Sequence, residues 1–268
     1  MFSAPALVKS ISFGFCSACL YYVGVSRGRN NPHKPLSSEA IVFLGVASTA
    51  ASIAFLGQAL EVSPQRYSLL LLTAAIFYGF IGLVVPSGQV WVFSLLSLGS
   101  WFGTETGYRS GWGAYYLGIN YPLRFVAFGL ALIGVGMALG KWKLRFLFKR
   151  QTMAVGMLYL FIAIWILSIF GNHGDFVEWQ QIKQIELIHW SVLFAVAAIA
   201  SVIHGVKNDD GMTKSFGITF LFINIYTRAL ENFWLSTHKA IFFSVLALSF
   251  WLIGRKAETI WQFRLKRN

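Results

Sequence analysis

Charge is scarce in this sequence of 268 residues: Asp, Glu, Lys and Arg together make up 12%, with 10 acidic against 22 basic side chains. An ordinary soluble domain carries about twice that share of charge, so that class is excluded at the outset. Cysteine is nearly missing. The two present, Cys16 and Cys19, share one apolar run and are too few for a disulfide framework. Nothing near them in sequence would stabilise a thiolate, so they read as small apolar packing residues of a helix. Catalytic signatures are absent as well: there is no HExxH, no GxSxG and no His/Cys cluster at metal-ligand spacing. The segment "GVGMALGKW" (134–142) lacks the spacing of a phosphate loop and has no Ser or Thr after Lys141. No metal and no cofactor is therefore expected.

What remains is apolar. Hydrophobic residues make up 56% of the chain and aromatics 17%, and the mean hydropathy is +0.62. Several runs approach the roughly 20 residues that cross a bilayer core. They place the chain in the all-α class, as a polytopic transmembrane helical bundle forming a single integral membrane domain over residues 1–268. Nine spans are expected, near 5–25, 40–60, 67–86, 88–103, 122–140, 152–171, 187–206, 215–235 and 238–254. The breaks carry turn chemistry: "RGRNNPHKP" is a polar loop, "VSPQR" a turn, and "VPSGQ" a tight connection. The first run, after Lys9, has a faint resemblance to a signal sequence but reads as a retained helix. The fourth span is short, which suggests a tilted or partly re-entrant segment.

The net charge of +12 would point to nucleic acid in a soluble protein. Here the basic residues sit in short loops between apolar runs, so no nucleic-acid partner is expected and the charge is read as topology. With "KWKLRFLFKR" (141–150) on the cytoplasmic side, that face collects three basic residues from 27–34, five from 141–150, two from 207–214 and five after Gly254. These are 15 of the 22, leaving seven opposite. Nine spans then put the N-terminus out and the C-terminus in. Small residues four apart (Gly99 and Gly103, Gly136 and Gly140, Ser48 and Ser52) mark faces on which helices approach closely.

A few polar residues interrupt the apolar runs. In "YTRALENFW" (226–234), Asn224, Arg228 and Glu231 fall on one helical stripe with Thr227 beside them. Arg228 lies roughly 12 Å below the outer hairpin "STH" (236–238), taking the rise per residue of a helix. A charge there is expensive, so the stripe should face other helices, with Arg228 paired to Glu231 or another acid. Either the pair is structural, or the stripe holds a ligand or ion. On the same outer side stand Gln58 and Glu61, Glu186 and His189, Glu105 and Arg109 opening the loop after the fourth span, and His238. Together they describe a water-accessible cavity in the outer leaflet. The loop "TETGYRSGWGAYYLGINYP" (104–122) adds Trp112 and Tyr115, either as an interfacial aromatic belt or as a lid over that cavity. His204 and "NDDG" (208–211) read as solvated loop chemistry.

The stretches "LGQALEVSPQRYSLLLLTAAIFYGFIGLV" and "FGITFLFINIYTRALENFWLSTHKAIFFSVLALSFWLIGRKAE" resemble a group of bacterial predicted membrane proteins that share a domain of unknown function. The likeness rests on a glutamine near a span end before a short turn, and on a Tyr-Thr-Arg helix followed by an aromatic. The last span also ends in basic residues, and about half the chain is covered. It implies a bacterial inner-membrane location and supplies no activity. The expected function is transport or binding of a small polar or anionic ligand. The alternative is a non-catalytic partner or sensor among other envelope proteins, and an intramembrane enzyme is the third reading.

Overall fold

The computed structural model describes residues 5–30, 33, 35–111, 115–140, 146–174 and 176–233. Between 240 and 255 it also describes 240, 243–245, 247–249, 251–252 and 254–255. The described chain is almost entirely helical: α1 (Ala6–Asn30), α2 (Pro35–Ala59), α3 (Tyr67–Val84), α4 (Gly88–Arg109), α5 (Tyr121–Leu139), α6 (Phe146–Phe170), a short α7 (Phe176–Gln180), α8 (Ile188–Lys207) and α9 (Gly211–Phe233). Six helical segments are long and apolar enough to cross a membrane, falling on α1, α2, α3, α5, α6 and α8. Several helices could therefore cross a membrane. Helices α4 and α9 have the length, about 33–35 Å at 1.5 Å per residue, but carry more polar side chains. Of the ninth expected span, residues 243–245 and 247–249 are helical, and 234–239 lie outside the described residues.

Two expectations are corrected. The fourth segment is not short, because its helix continues unbroken to Arg109. Its last turn is held by local bonds: the Thr106 hydroxyl donates to the Phe102 carbonyl (2.8 Å) and Arg109 pairs with Glu105 one turn back. Glu105 and Arg109 therefore belong to a helix and not to a loop. After them come the two-residue strands β1 (Tyr115–Tyr116) and β2 (Ile119–Asn120), separated by Leu117 and Gly118, both at positive φ (54° and 74°). Second, Cys16 and Cys19 are both exposed on α1 and are not packed between helices.

The chain forms two compact units. Unit 1 holds the described residues within Met1–Leu117 and Phe128–Gly156; unit 2 holds those within Gly118–Ala127 and Met157–Asn268. In unit 1, α1 and α2 are joined by a ladder of hydroxyls. Ser10 and Ser52 exchange bonds with each other's main-chain carbonyls (2.9 and 2.8 Å), Ser48 donates to the Phe13 carbonyl (2.8 Å), and Ser17 meets Thr49 (2.6 Å). In an apolar solvent hydroxyls bond across helices because water is not there to compete, and their small volume lets the backbones approach. Tyr78 on α3 donates to the Val46 carbonyl (2.9 Å), and Ser94 on α4 donates to Ala75 (2.7 Å). The core between them is Tyr21, Val42, Val46, Ile53, Ala74, Tyr78 and Val90.

Unit 2 relies on aromatics and close backbones instead. Phe161 of α6 is fully buried and stacks on Phe220 of α9, with ring centroids 4.8 Å apart. Helices α8 and α9 meet through Gly217: a Cβ there would lie 2.6 Å from the Ala198 carbonyl oxygen and 2.7 Å from the Val202 nitrogen. The turn before α9 is less open than "NDDG" suggests. The Asp210 carboxylate accepts from the Met212 and Thr213 main-chain N–H groups (3.1 and 3.3 Å) and from the Thr213 hydroxyl (2.6 Å), capping the helix.

Candidate functional site

The polar stripe on α9 is held by two helices of unit 2. Asn224 is buried and exchanges bonds with Ser191 of α8: the serine hydroxyl donates to its Oδ1 (2.8 Å), and its Nδ2 donates to the serine carbonyl (3.0 Å). Arg228 reaches Glu231 through both terminal nitrogens, Nη2 to Oε1 at 2.9 Å and Nη1 to Oε2 at 2.8 Å. Nη2 also donates to the Ser168 carbonyl of α6 (2.6 Å). The side chains of the pair are 19% and 15% exposed. Beside them Trp165 Nε1 donates to the Thr227 hydroxyl (2.9 Å). Spacing of three on a helix made this pairing possible, and burial makes it necessary, since either charge alone would be stranded where water is scarce. The guanidinium faces a carboxylate and a carbonyl, so its charge is matched from within the protein.

The other sequence candidates of unit 2 stand apart from this group. Glu186, in a 3-10 turn (Gln184–Leu187), and His189, at the start of α8, are both exposed; the His189 ring leans on its neighbour Trp190, 5.1 Å away. The described ion pairs are Arg228–Glu231 and Arg109–Glu105, and Glu186 is in neither. In unit 1, Gln58 and Glu61 are exposed at the end of α2. Glu61 takes a positive φ of 47° there, and the Val62 N–H bonds back to the Gly57 carbonyl (3.0 Å). Glu105 accepts from Arg109 Nε (2.8 Å) and from the buried Ser68 hydroxyl (2.8 Å). It lies past the apolar 88–103 stretch, and the bonds from Arg109 and Ser68 hold its carboxyl below the ordinary value of 4.5. Trp112 and His238 lie outside the described residues.

Sequence reasoning missed a second site, in unit 1. A cavity of about 830 Å³ opens where the end of α1, the start of α2, the α3–α4 turn and the start of α6 come together. Its polar lining includes Arg29, Glu39, Ser87, Gln89 and Gln151, above a floor that includes Val42. The Oε1 atoms of Gln89 and Gln151 are buried and have no hydrogen-bond partner among the described residues. Leaving such an acceptor unmatched costs about 1–3 kcal/mol.

Local contacts fix both amides. Trp91 Nε1 donates to Thr152 Oγ1 (2.9 Å) and its ring packs on Phe148 (4.7 Å), which ties the start of α6 to α4. Gly88 admits the Gln151 amide, because a Cβ there would lie 2.5 Å from Gln151 Nε2. Arg29 and Glu39 are exposed at the rim, and neither is in an ion pair among the described residues. The lining holds two amide side chains and one charge of each sign at the edge. In sequence the only signals were "VPSGQ", which reads as turn polarity, and a lone glutamine after a basic run.

No group of three or more His, Cys, Asp or Glu residues is placed to hold a metal ion among the described residues. No protein-family model, no curated protein and no solved structure matches this chain.

Proposed function

We propose that the chain is a nine-span membrane protein, N-terminus out and C-terminus in, that binds a small polar or anionic ligand. The observation that carries this reading is the unit 1 cavity of about 830 Å³, whose lining joins Arg29, Glu39, Ser87, Gln89 and Gln151. A concave site with a few polar groups in its lining is where a small ligand binds. The Arg228–Glu231 group supports this choice by contrast, because its charges already face each other. In the topology read from the basic residues, the cavity lies on the cytoplasmic face, at the end of α1 that carries Arg27 and Arg29. A bacterial inner membrane is the location that goes with this reading.

The experiment is thiol accessibility. In a Cys16→Ser, Cys19→Ser background, Val92→Cys places a thiol on the cavity wall. A small membrane-impermeant methanethiosulfonate should label it from the cytoplasmic face. Reporter fusions after Arg150 and at the C-terminus should read cytoplasmic, and one near Asp175 should read outside. A thiol unreactive from both faces removes the cavity as a binding site. Labelling from both faces extends binding to transport.

A further inference from the structure

The unit 1 cavity gathers hydrogen-bond donors. In Gln89 and Gln151 the oxygen is the buried end of the amide; the nitrogen is not buried and makes no hydrogen bond among the described residues. Gln151 Nε2 comes up to the start of α4, since a Cβ on Gly88 would lie 2.5 Å from it. The first N–H groups of a helix have no partner inside it. In α4 the Val90 N–H meets Ser87 Oγ (3.5 Å) and the Trp91 N–H meets the Ser87 carbonyl (3.2 Å), which leaves over those of Gly88 and Gln89. Both residues line the cavity, and so does Arg29 from the last turn of α1. Main-chain, amide and guanidinium N–H groups therefore share one cavity with a single carboxylate, that of Glu39.

From this set of donors we infer that the ligand of the cavity carries a phosphate group, seated at the start of α4 in the space that Arg29 also lines. The inference rests on the binding function proposed for the cavity and names its ligand class. Every helix start offers N–H groups and the positive end of a dipole to an anion, so that end alone selects nothing. Here the amide nitrogens of Gln89 and Gln151 and the guanidinium of Arg29 join it in one cavity. A carboxylate has two oxygens with about four lone-pair positions. The N–H groups of Gly88, Gln89 and Gln151 exceed that before the guanidinium is counted, and the three terminal oxygens of a phosphate monoester take more of them. Glu39 is exposed at the rim, where water and salt screen its charge. A phosphate fills only a small part of about 830 Å³, and the space beside Val25, Val42, Val92 and Phe93 has room for the organic body that carries it. A membrane lipid ending in phosphate and a soluble phosphate ester present the same group to these donors.

The test uses the purified full chain in detergent, stripped of lipid, with inorganic phosphate, glycerol 3-phosphate or phosphatidic acid added. Acetate and chloride at equal ionic strength are the controls. At least one of the phosphates should raise the unfolding midpoint by about 3 °C over the controls, as expected for a ligand present well above its dissociation constant. The same compound should slow the labelling of Val92→Cys. Arg29→Gln should weaken its binding about tenfold. Arg27→Gln removes the same charge from an exposed residue outside the lining and should leave binding unchanged. Glu39→Gln should strengthen binding, because it removes the one negative charge of the lining. A response to phosphatidic acid alone assigns the phosphate to a lipid, and a response to glycerol 3-phosphate or inorganic phosphate assigns it to a soluble source. The inference is overturned if acetate acts as strongly as the phosphates, if Arg29→Gln and Arg27→Gln lose the same amount, or if Glu39→Gln weakens binding. If Val92→Cys is labelled while no phosphate acts, the cavity remains a binding site and only the phosphate assignment falls. If Val92→Cys is unreactive, the binding reading itself has failed.

Discussion

The two units use buried polarity differently. In unit 2, Arg228 and Glu231 carry full charges and are tied to each other through both terminal guanidinium nitrogens, with the Ser168 carbonyl as a third partner. In unit 1, Gln89 and Gln151 are neutral side chains that line a cavity. The difference follows from the size of the penalty. An unmatched charge in a water-poor interior costs several kcal/mol, whereas an unmatched amide oxygen costs about 1–3 kcal/mol. A helical membrane protein of ordinary stability tolerates the second and not the first. Charge deep among apolar helices is thus a sign of internal pairing.

The sharpest way to break this contrast is to unpair the charges. Arg228→Met or Glu231→Gln alone should lower unfolding stability in detergent by about 3–5 kcal/mol, because each leaves the other group buried without its partner. The double variant should regain most of that loss. Additive effects of the two changes would show that the pair is not coupled. If the double variant is stable yet has lost ligand binding, the α9 stripe takes part in binding and the contrast between the units fails.

A smaller effect sharpens the packing side of the comparison. Gly217→Ala would put a Cβ 2.6 Å from the Ala198 carbonyl oxygen, and backbone cannot swing aside as a long side chain can. Separating α8 from α9 should cost about 1–3 kcal/mol, read from the thermal midpoint. Gly134→Ala in α5 meets nothing within 4 Å and should stabilise the helix by up to about 1 kcal/mol. Equal responses at the two glycines would contradict the close α8–α9 approach.

Much of the architecture was legible because apolar runs of span length have few other uses. The runs at 67–86 and 187–206 became α3 and α8 almost residue for residue. The Arg228–Glu231 contact was legible too, since i and i+3 share a face and nothing cheaper can neutralise the charges. Elsewhere the sequence was silent for physical reasons. Ser10 and Ser17 look like incidental small residues of an apolar run until α2 is laid beside them with Ser52 and Thr49 at matching heights. Glu105 looked like the start of a loop because glycine and threonine surround it, and its bond from Ser68 of α3 could not be read from the sequence. Gln89 was hidden by its setting in "VPSGQ", where polarity is the default, and only the approach of Gln151 past Gly88 turns the two glutamines into lining of one cavity.

The smallest expected effect lies at the end of α4, and its sign can be worked out. Hydrogen bonds from Arg109 and Ser68 hold the Glu105 carboxyl below its ordinary value of 4.5. A depressed carboxyl contributes stability that is fully present above the unfolded value and is lost as pH falls from there through the folded value. Acidification from pH 7 to 5 should therefore leave this contribution intact, with the loss beginning only below about 4.5. Glu105→Gln should flatten that acid limb of the stability curve and lower the midpoint at pH 7 by the same contribution. The two bonds can also be separated. The Arg109 side chain is 63% exposed, so its share is screened by salt; the Ser68 residue is 1% exposed, so its share is not. Arg109→Gln should then matter in dilute buffer and fade in 1 M salt, where the Debye length is about 3 Å. Ser68→Ala should cost the same in both. A Ser68→Ala effect that disappears with salt would mean that Glu105 is held by charge alone.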